Sequence, residues 1–220
     1  MINVLCVKWG TKYSAEDVNR LKNMVLKYLY EPFSFYCHTE DSTNVNANII
    51  PIQEDLETYW NKLTMFKPGF ISSGDINLYF DLDIVIQNDI TPLLKYLQDD
   101  LTMVRAYWKG DTITDGSSHK FKERWDMYAN SSVLLWKNGT LNNIWNHFDT
   151  DPDYFMVKYK GIDRFLFHEK FKLNWFPEGI IYSKMYEEYD PAKMIYLFNG
   201  LEYHHTSFAT FLDEELRIQE

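Results

Sequence analysis

Apolar residues fall along the chain in short runs separated by polar stretches, and the spacing within each run predicts an element. Val4–Val7 is a continuous apolar run of strand length. Ser14 and Asp17 have the spacing of a capping box, and Val18, Leu21, Val25, Leu26 and Leu29 then recur with the period of a helix that Pro32 ends. "FSFYCHT" (33–39) and "NIIPI" (48–52) read as strands. Leu56 to Phe66 reads as an amphipathic helix stopped by Pro68-Gly69. The run "INLYFDLDIVI" (76–86) is strand-like, and "ITPLLKYLQ" (90–98) opens a helix with Thr91 as cap and Pro92 at its first position. "LTMVRAY" (101–107) and "SSVLLW" (131–136) are further strands, and "LNNIWNHF" (141–148) is a helix. Between them, Trp108 to Arg124 is polar and long for a structureless connection, so it reads as either a functional or a mobile segment, the functional use being closure over a bound ligand. The last third alternates short aromatic segments with turns and ends in "FLDEELRIQE".

Strands alternating with helices over the first hundred residues predict an α/β fold with a mostly parallel central sheet and flanking helices. No repeat or linker divides the chain, so 1–220 is expected to be a single domain. Ligands of such sheets bind beyond the carboxyl ends of the strands. That rule brings Lys8 to Tyr13 and the residues after Phe80 to one rim.

Composition narrows the picture. Hydrophobic residues make up 45% and aromatics 17% of 220 residues, enough for a substantial core. No apolar run approaches a membrane span, and the apolar start is too short for a signal peptide, so a cytoplasmic protein is expected. Cys6 and Cys37 lie in strand-like runs and read as reduced core thiols. The sequons at Asn130 and Asn138 then carry no glycan meaning. A formal net charge of −10 disfavours nucleic acid and anionic membrane as partners. An anionic small ligand would need local positive charge or a bound cation.

Asp81 and Asp83 stand inside the apolar run 76–86. If the strand is continuous, residues i and i+2 project side by side from one face. If it ends near Asp81, the pair sits in a turn at the ligand-binding edge. Either way two adjacent carboxylates need compensation from a proton, a basic partner or a hard divalent cation. Trp108, Trp125, Tyr128 and Trp175 admit two uses, core packing and the lining of a binding groove, and core packing is the default.

The order of five segments, "VKWGTKYSAEDVNRL", "YWNKLTMFKPG", "LYFDLDIVIQNDITPLL", "NSSVLLWK" and "WFPEGIIYSK", resembles the glycogenin-like glycosyltransferases of GT-A fold, in particular their short bacterial and phage members. The resemblance covers most of the chain. It implies a Rossmann-like GT-A domain, with residues 1–100 as the nucleotide-binding half and 101–220 as the acceptor side. It also implies a UDP-sugar donor, Mn²⁺ (or Mg²⁺) as metal, and transfer with retention to a glycan, lipid or protein acceptor. Asp81 and Asp83 match the metal-binding aspartates, the first together with Leu82 also meeting the nucleotide. Val7, Lys8, Trp9, Gly10, Thr11 and Tyr13 match the loop around base and ribose. Lys62 matches a lysine that reaches the diphosphate or donor sugar. Asn130, Ser131 and Ser132 match the stretch beside that sugar, and Asp163 a sugar-binding acid. Leu197 stands where a metal-binding histidine is common, so His205 or His204 is expected as third ligand.

Glycosyl transfer breaks the bond from the anomeric carbon to a diphosphate, and the leaving group gains negative charge. A cation and lysines, with Lys8, Lys12, Lys62 and Lys184 as candidates, would stabilise that charge. A phosphotransferase or hydrolase using Asp81 is the competing enzyme class, against which no Gly-rich phosphate loop or nucleophile elbow is present. A nucleotide-sugar-binding protein without catalysis is the alternative outside enzymes.

Overall fold

The strand expected at Val4–Val7 is β1 (Ile2–Lys8), and it is an interior strand of the sheet because both of its faces are apolar. The computed structural model describes residues 1–54, 56–72, 74–109, 127–184 and 186–198. β1 pairs in parallel with β2 (Phe33–Thr39) on one side and β4 (Ile76–Phe80) on the other, and β3 (Asn48–Pro51) extends the sheet beyond β2. Past β4 the direction reverses: β7 (Ala129–Lys137) is antiparallel to both β4 and β6 (Leu101–Arg105), and β8 (Leu173–Trp175) closes the edge parallel to β6. The order is β3-β2-β1-β4-β7-β6-β8, a mostly parallel mixed sheet of seven strands.

Period-two alternation divides the core into two layers. Val4 and Cys6 of β1 face α1 (Ala15–Tyr28), whose Val18, Leu21 and Val25 are buried against them. Leu5 faces the other way, into a layer rich in aromatics that includes Trp60, Trp136, Phe148 and Phe165. In that layer Trp60 stacks on Phe148 with ring centroids 5.5 Å apart. α1 begins at the expected capping box, with Ser14 and Asp17 each serving the other's backbone N–H. Cys6 and Cys37 are register partners on β1 and β2, both free and fully buried.

Two expected α-helices are 3₁₀ turns instead. Thr58–Phe66 has no side-chain cap at Glu57, and two of its side chains compete for backbone carbonyls: Asn61 Nδ2 donates to the Leu56 carbonyl at 2.8 Å and Thr64 Oγ1 to that of Asn61 at 2.7 Å. In Thr91–Tyr96 the capping acceptor is Asp89, which takes the Thr91 N–H at 2.8 Å. The Thr91 hydroxyl accepts from the Tyr30 N–H at 3.0 Å, so it ties the turn to the end of α1 rather than capping it. The strand expected over 101–107 ends at Arg105 and passes into a 3₁₀ turn. The expected helix near 141–148 is α2 (Asn142–Phe148). The last third holds two helices where turns were expected, α3 (Pro152–Tyr159) and α4 (Ile162–His168), which cover the aromatic layer.

The run 76–86 is not one strand. β4 stops at Phe80, residues 81–83 turn, and β5 (Ile84–Ile86) joins a second sheet with β9 (Ile181–Ser183) and β10 (Ile195–Leu197) in the order β5-β10-β9. Among the described residues no helix is long and apolar enough to cross a membrane.

Candidate active site

The turn between β4 and β5 lies at the carboxyl edge of the parallel strands, where two cavities of about 270 and 440 Å³ meet. Both are lined by Lys12, Tyr59, Lys62, Asp81 and Asp83, so they form one cleft with the aspartate pair at its middle.

Each aspartate is held differently. Asp81 Oδ1 takes an ion pair from Lys62 Nζ and a hydrogen bond from the Tyr79 hydroxyl, both at 2.6 Å. Its backbone N–H donates to the Ser132 carbonyl at 2.9 Å, which anchors the turn to β7. Asp83 Oδ2 accepts from the Tyr13 hydroxyl at 2.9 Å, and its carbonyl accepts from the Phe198 N–H at 3.0 Å. Burial and the neighbouring Asp81 push the Asp83 carboxyl up from 3.8 to about 6, against the pull of Lys12, the Tyr13 hydrogen bond and Lys62. Burial and the same two carboxylates raise the Tyr13 and Tyr79 phenols, so both hydroxyls remain donors.

The smaller cavity is lined on its outer side by Val7, Trp9, Tyr13 and Leu82. Lys8, expected beside them, lies on the opposite face of β1. Its ammonium donates to the Asp41 carbonyl at 3.3 Å and sits 3.8 Å from the Asp41 carboxylate. Gly10, at φ +62°, donates its N–H to Glu40 at 2.6 Å, and Thr11 is exposed; neither lines the cavity.

The larger cavity contains Asn130, Ser131, Ser132 and Asp163. Lys62 bridges the two halves, since its Nζ also lies 3.4 Å from Ser131 Oγ. Asp163, in the first turn of α4, accepts the Ser131 N–H at 3.0 Å, and Asn130 Oδ1 accepts that of Ser132 at 3.0 Å.

His204 and His205 lie outside the described residues, as does Trp125. Leu197 is buried on β10. Among the described residues no group of three or more His, Cys, Asp or Glu could hold a metal ion. The three described aromatics considered for a groove are packed: Trp108 stacks on Tyr186 at 6.5 Å, and Tyr128 meets the edges of Phe167 and Trp175 at 4.9 and 5.2 Å.

Sequence reasoning missed seven lining residues, of which four carry a hydroxyl or a charge. Tyr79 had a signal, standing two positions before Asp81. Tyr59, Lys160 and Arg164 had none, because they reach the cleft through the 3₁₀ turn and the α3–α4 junction.

No protein-family model and no curated protein matches the sequence. Among solved structures the chain is similar to the galactosyltransferase LgtC in complex with donor and acceptor sugar analogues, with a TM-score of 0.64 and 14% identity over 98% of this chain and 94% of that one. It is also similar to the glycosyltransferase GlyE of Streptococcus pneumoniae TIGR4, with a TM-score of 0.63 and 11% identity over 100% of this chain and 65% of that one, so it spans just under two thirds of that enzyme's length. At these identities the likeness is one of fold, and the fold is GT-A.

Proposed function

We propose that the chain is a metal-dependent glycosyltransferase that moves a sugar from a nucleotide-sugar donor, a UDP-sugar, to an acceptor with retention. The observation that carries this reading is the cleft itself. It joins a carboxylate pair, a lysine and two tyrosine hydroxyls at the carboxyl edge of a parallel sheet, between two cavities of unequal lining. The neighbours of like fold, named a galactosyltransferase and a glycosyltransferase, support it.

The donor atoms fit a hard divalent cation, Mn²⁺ or Mg²⁺. Asp81 and Asp83 offer oxygen, and burial together with Asp81 raises the Asp83 carboxyl, a cost that a bound cation would offset. His205 is the proposed third ligand. When bound, the cation neutralises charge on the diphosphate. The chain's own residues do the rest. Val7, Trp9 and Leu82 offer apolar surface to the base, with Gly10 and Thr11 in the same loop and Tyr13 beneath the carboxylate pair. Lys8 acts from behind the sheet by fixing the Asp41 loop. Lys62, next to Asp81 and Ser131, meets the developing charge of the leaving diphosphate. Asn130, Ser131 and Ser132 present polar groups to the donor sugar, and Asp163 holds a sugar hydroxyl while fixing the Ser131 backbone.

Calorimetric titration of UDP with and without Mn²⁺ tests the reading. Binding that requires the metal is expected, and UDP binding with no metal dependence overturns it. Metal-dependent binding of UDP-sugars with neither hydrolysis nor transfer leaves the alternative, a nucleotide-sugar-binding protein without catalysis.

A further inference from the structure

The 3₁₀ turn Thr58–Phe66 buries most of its large side chains, with Trp60, Leu63, Met65 and Phe66 packed into the aromatic layer. Tyr59 differs: it is 44% exposed and lines both cavities. The geometry of the turn decides what stands beside it. An α-helix sets residues i and i+3 about 60° apart around its axis, whereas the three residues per turn of a 3₁₀ helix place them one above the other. Tyr59 therefore stands over Lys62, about 6 Å along the axis. Lys62 is the residue paired with Asp81 and within reach of Ser131.

The Tyr59 hydroxyl donates to the Lys160 carbonyl at 2.9 Å, so the ring is tethered at both ends and its one donor is used. What Tyr59 offers the cleft is a fixed aromatic face. The same peptide unit leads into Gly161. The Gly161 φ of 163° is extended backbone open to any residue, and a Cβ built there would meet no atom within 4 Å. Neither conformation nor packing requires glycine at this position. Its missing side chain leaves open space beside Tyr59 in the wall of the larger cavity. Met127 and Ile162 add apolar surface to that cavity, and Asn130 and Ser131 add polar groups.

We propose that the space between the Tyr59 ring and Gly161 holds a pyranose ring of the acceptor, so that the group receiving the sugar belongs to a carbohydrate and not to a protein side chain or a simple lipid alcohol. This rests on the transferase reading above and names its acceptor class. A pyranose has a face of C–H groups that packs on an aromatic ring and a rim of hydroxyls that needs polar partners. A serine side chain or a glycerol unit has no such face. The position suits the acceptor and not the donor sugar. The groups proposed for the donor sugar, Asn130 to Ser132 and Asp163, come from β7 and α4, while Tyr59 stands on the 3₁₀ turn, one turn before the lysine proposed to meet the leaving diphosphate.

The test titrates the full chain with methyl β-galactopyranoside, methyl β-glucopyranoside and glycerol by ligand-observed NMR, with saturating UDP and Mn²⁺ and again without them. A pyranoside is expected to bind with the C–H protons of one face shifted upfield by the tyrosine ring, and glycerol is not expected to bind. Tyr59→Leu should weaken the pyranoside about tenfold and abolish the upfield shift, whereas Tyr59→Phe, which keeps the ring, should stay within about threefold of wild type. Gly161→Val, which fills the open space, should also weaken it about tenfold. The wild-type shifts and Gly161→Val decide the matter where Tyr59→Leu has a lowered thermal midpoint. The proposal is overturned if neither pyranoside binds, if glycerol binds as tightly, or if Tyr59→Leu or Gly161→Val binds like wild type. It is also overturned if Tyr59→Phe loses as much as Tyr59→Leu, because the bond to Lys160 and not the ring then matters. A loss in Tyr59→Leu confined to UDP-galactose relative to UDP, with the free pyranosides unaffected, overturns it too, since the ring then serves the donor. Failure of UDP to bind with Mn²⁺ counts against the transferase reading, and the pyranoside ratios taken without UDP still decide the sugar site.

Discussion

Replacing Asp83 by asparagine should make the metal-free protein more stable at neutral pH while abolishing metal-dependent UDP binding. The carboxyl is raised from 3.8 to about 6 by burial and by Asp81, so ionising it costs the folded chain more than the unfolded one. Between those two values the folded chain binds more protons, and stability therefore falls as pH rises through that window and stays lowered above it. The whole shift corresponds to about 3 kcal/mol. Asparagine keeps an acceptor for the Tyr13 hydroxyl, which now lies 2.9 Å from the carboxylate, but gives up the attraction of Lys12 and Lys62. A net gain of roughly 1–2 kcal/mol at pH 8 is expected. Urea denaturation in chelator at pH 4, 6 and 8 should show wild type losing stability across the series relative to the variant, with the two converging at pH 4. Calorimetry with UDP and Mn²⁺ should show binding to wild type only. A variant less stable than wild type at pH 8 would falsify the account of Asp83 as an uncompensated carboxylate, and retained metal-dependent UDP binding would remove it from the site.

Lys62→Met should slow hydrolysis of a bound UDP-sugar about 10²-fold, read as UDP release, because it removes the cation proposed to meet the leaving diphosphate; a rate within about threefold of wild type would show that Lys62 does not meet that charge. Gly74→Ala should destabilise the fold by roughly 1–3 kcal/mol in urea denaturation. The backbone there is at φ +83°, and an added Cβ would lie 2.5 Å from Asn3 Oδ1, next to the Asn3–Asn77 hydrogen bond. Glu169 accepts from Tyr159, from His147 at 2.8 Å and from Lys158 at 3.0 Å. Burial opposes its ionisation, but these three donors win and hold the carboxyl down from 4.5 to about 2. Its contribution is complete above the usual carboxylate range and lost as pH falls toward 2. Glu169→Gln should cost on the order of 1 kcal/mol at pH 7 after allowance for solvent screening. A urea midpoint that falls just as steeply with acid in the variant would refute this.

How far the sequence could be read depended on whether one periodicity ruled a segment. β1 and α1 were legible because an unbroken apolar run of strand length in one and the capping box with its apolar stripe in the other had no competitor. α3 was hidden because apolar side chains occur all round it: Phe155 and Tyr159 are buried, while Tyr154 and Val157 on the same helix are exposed. α4 was hidden by its length, since seven residues give its buried Ile162, Phe165 and Leu166 only two turns of periodicity. The two 3₁₀ turns were hidden for another reason, since their apolar spacing is helical and only the side-chain bonds of Asn61, Thr64 and Asp89 decide the geometry. Lys8 shows the limit at single-residue scale. Reading the loop as a block grouped it with Val7 and Trp9, yet period two along β1 turns alternate residues to opposite faces. Val7 and Trp9 reach the cleft and Lys8 is drawn to Asp41. The same rule bears on the aspartate pair. In a continuous strand Asp81 and Asp83 would share one face and one set of partners. Because the strand breaks at Phe80, Asp81 is compensated directly by Lys62 and Tyr79, while Asp83 has one hydroxyl hydrogen bond and the pull of Lys12 and Lys62, and its carboxyl is still raised by burial and Asp81. The turn therefore separates a paired carboxylate from one short of charge, and that asymmetry is what an incoming cation would relieve.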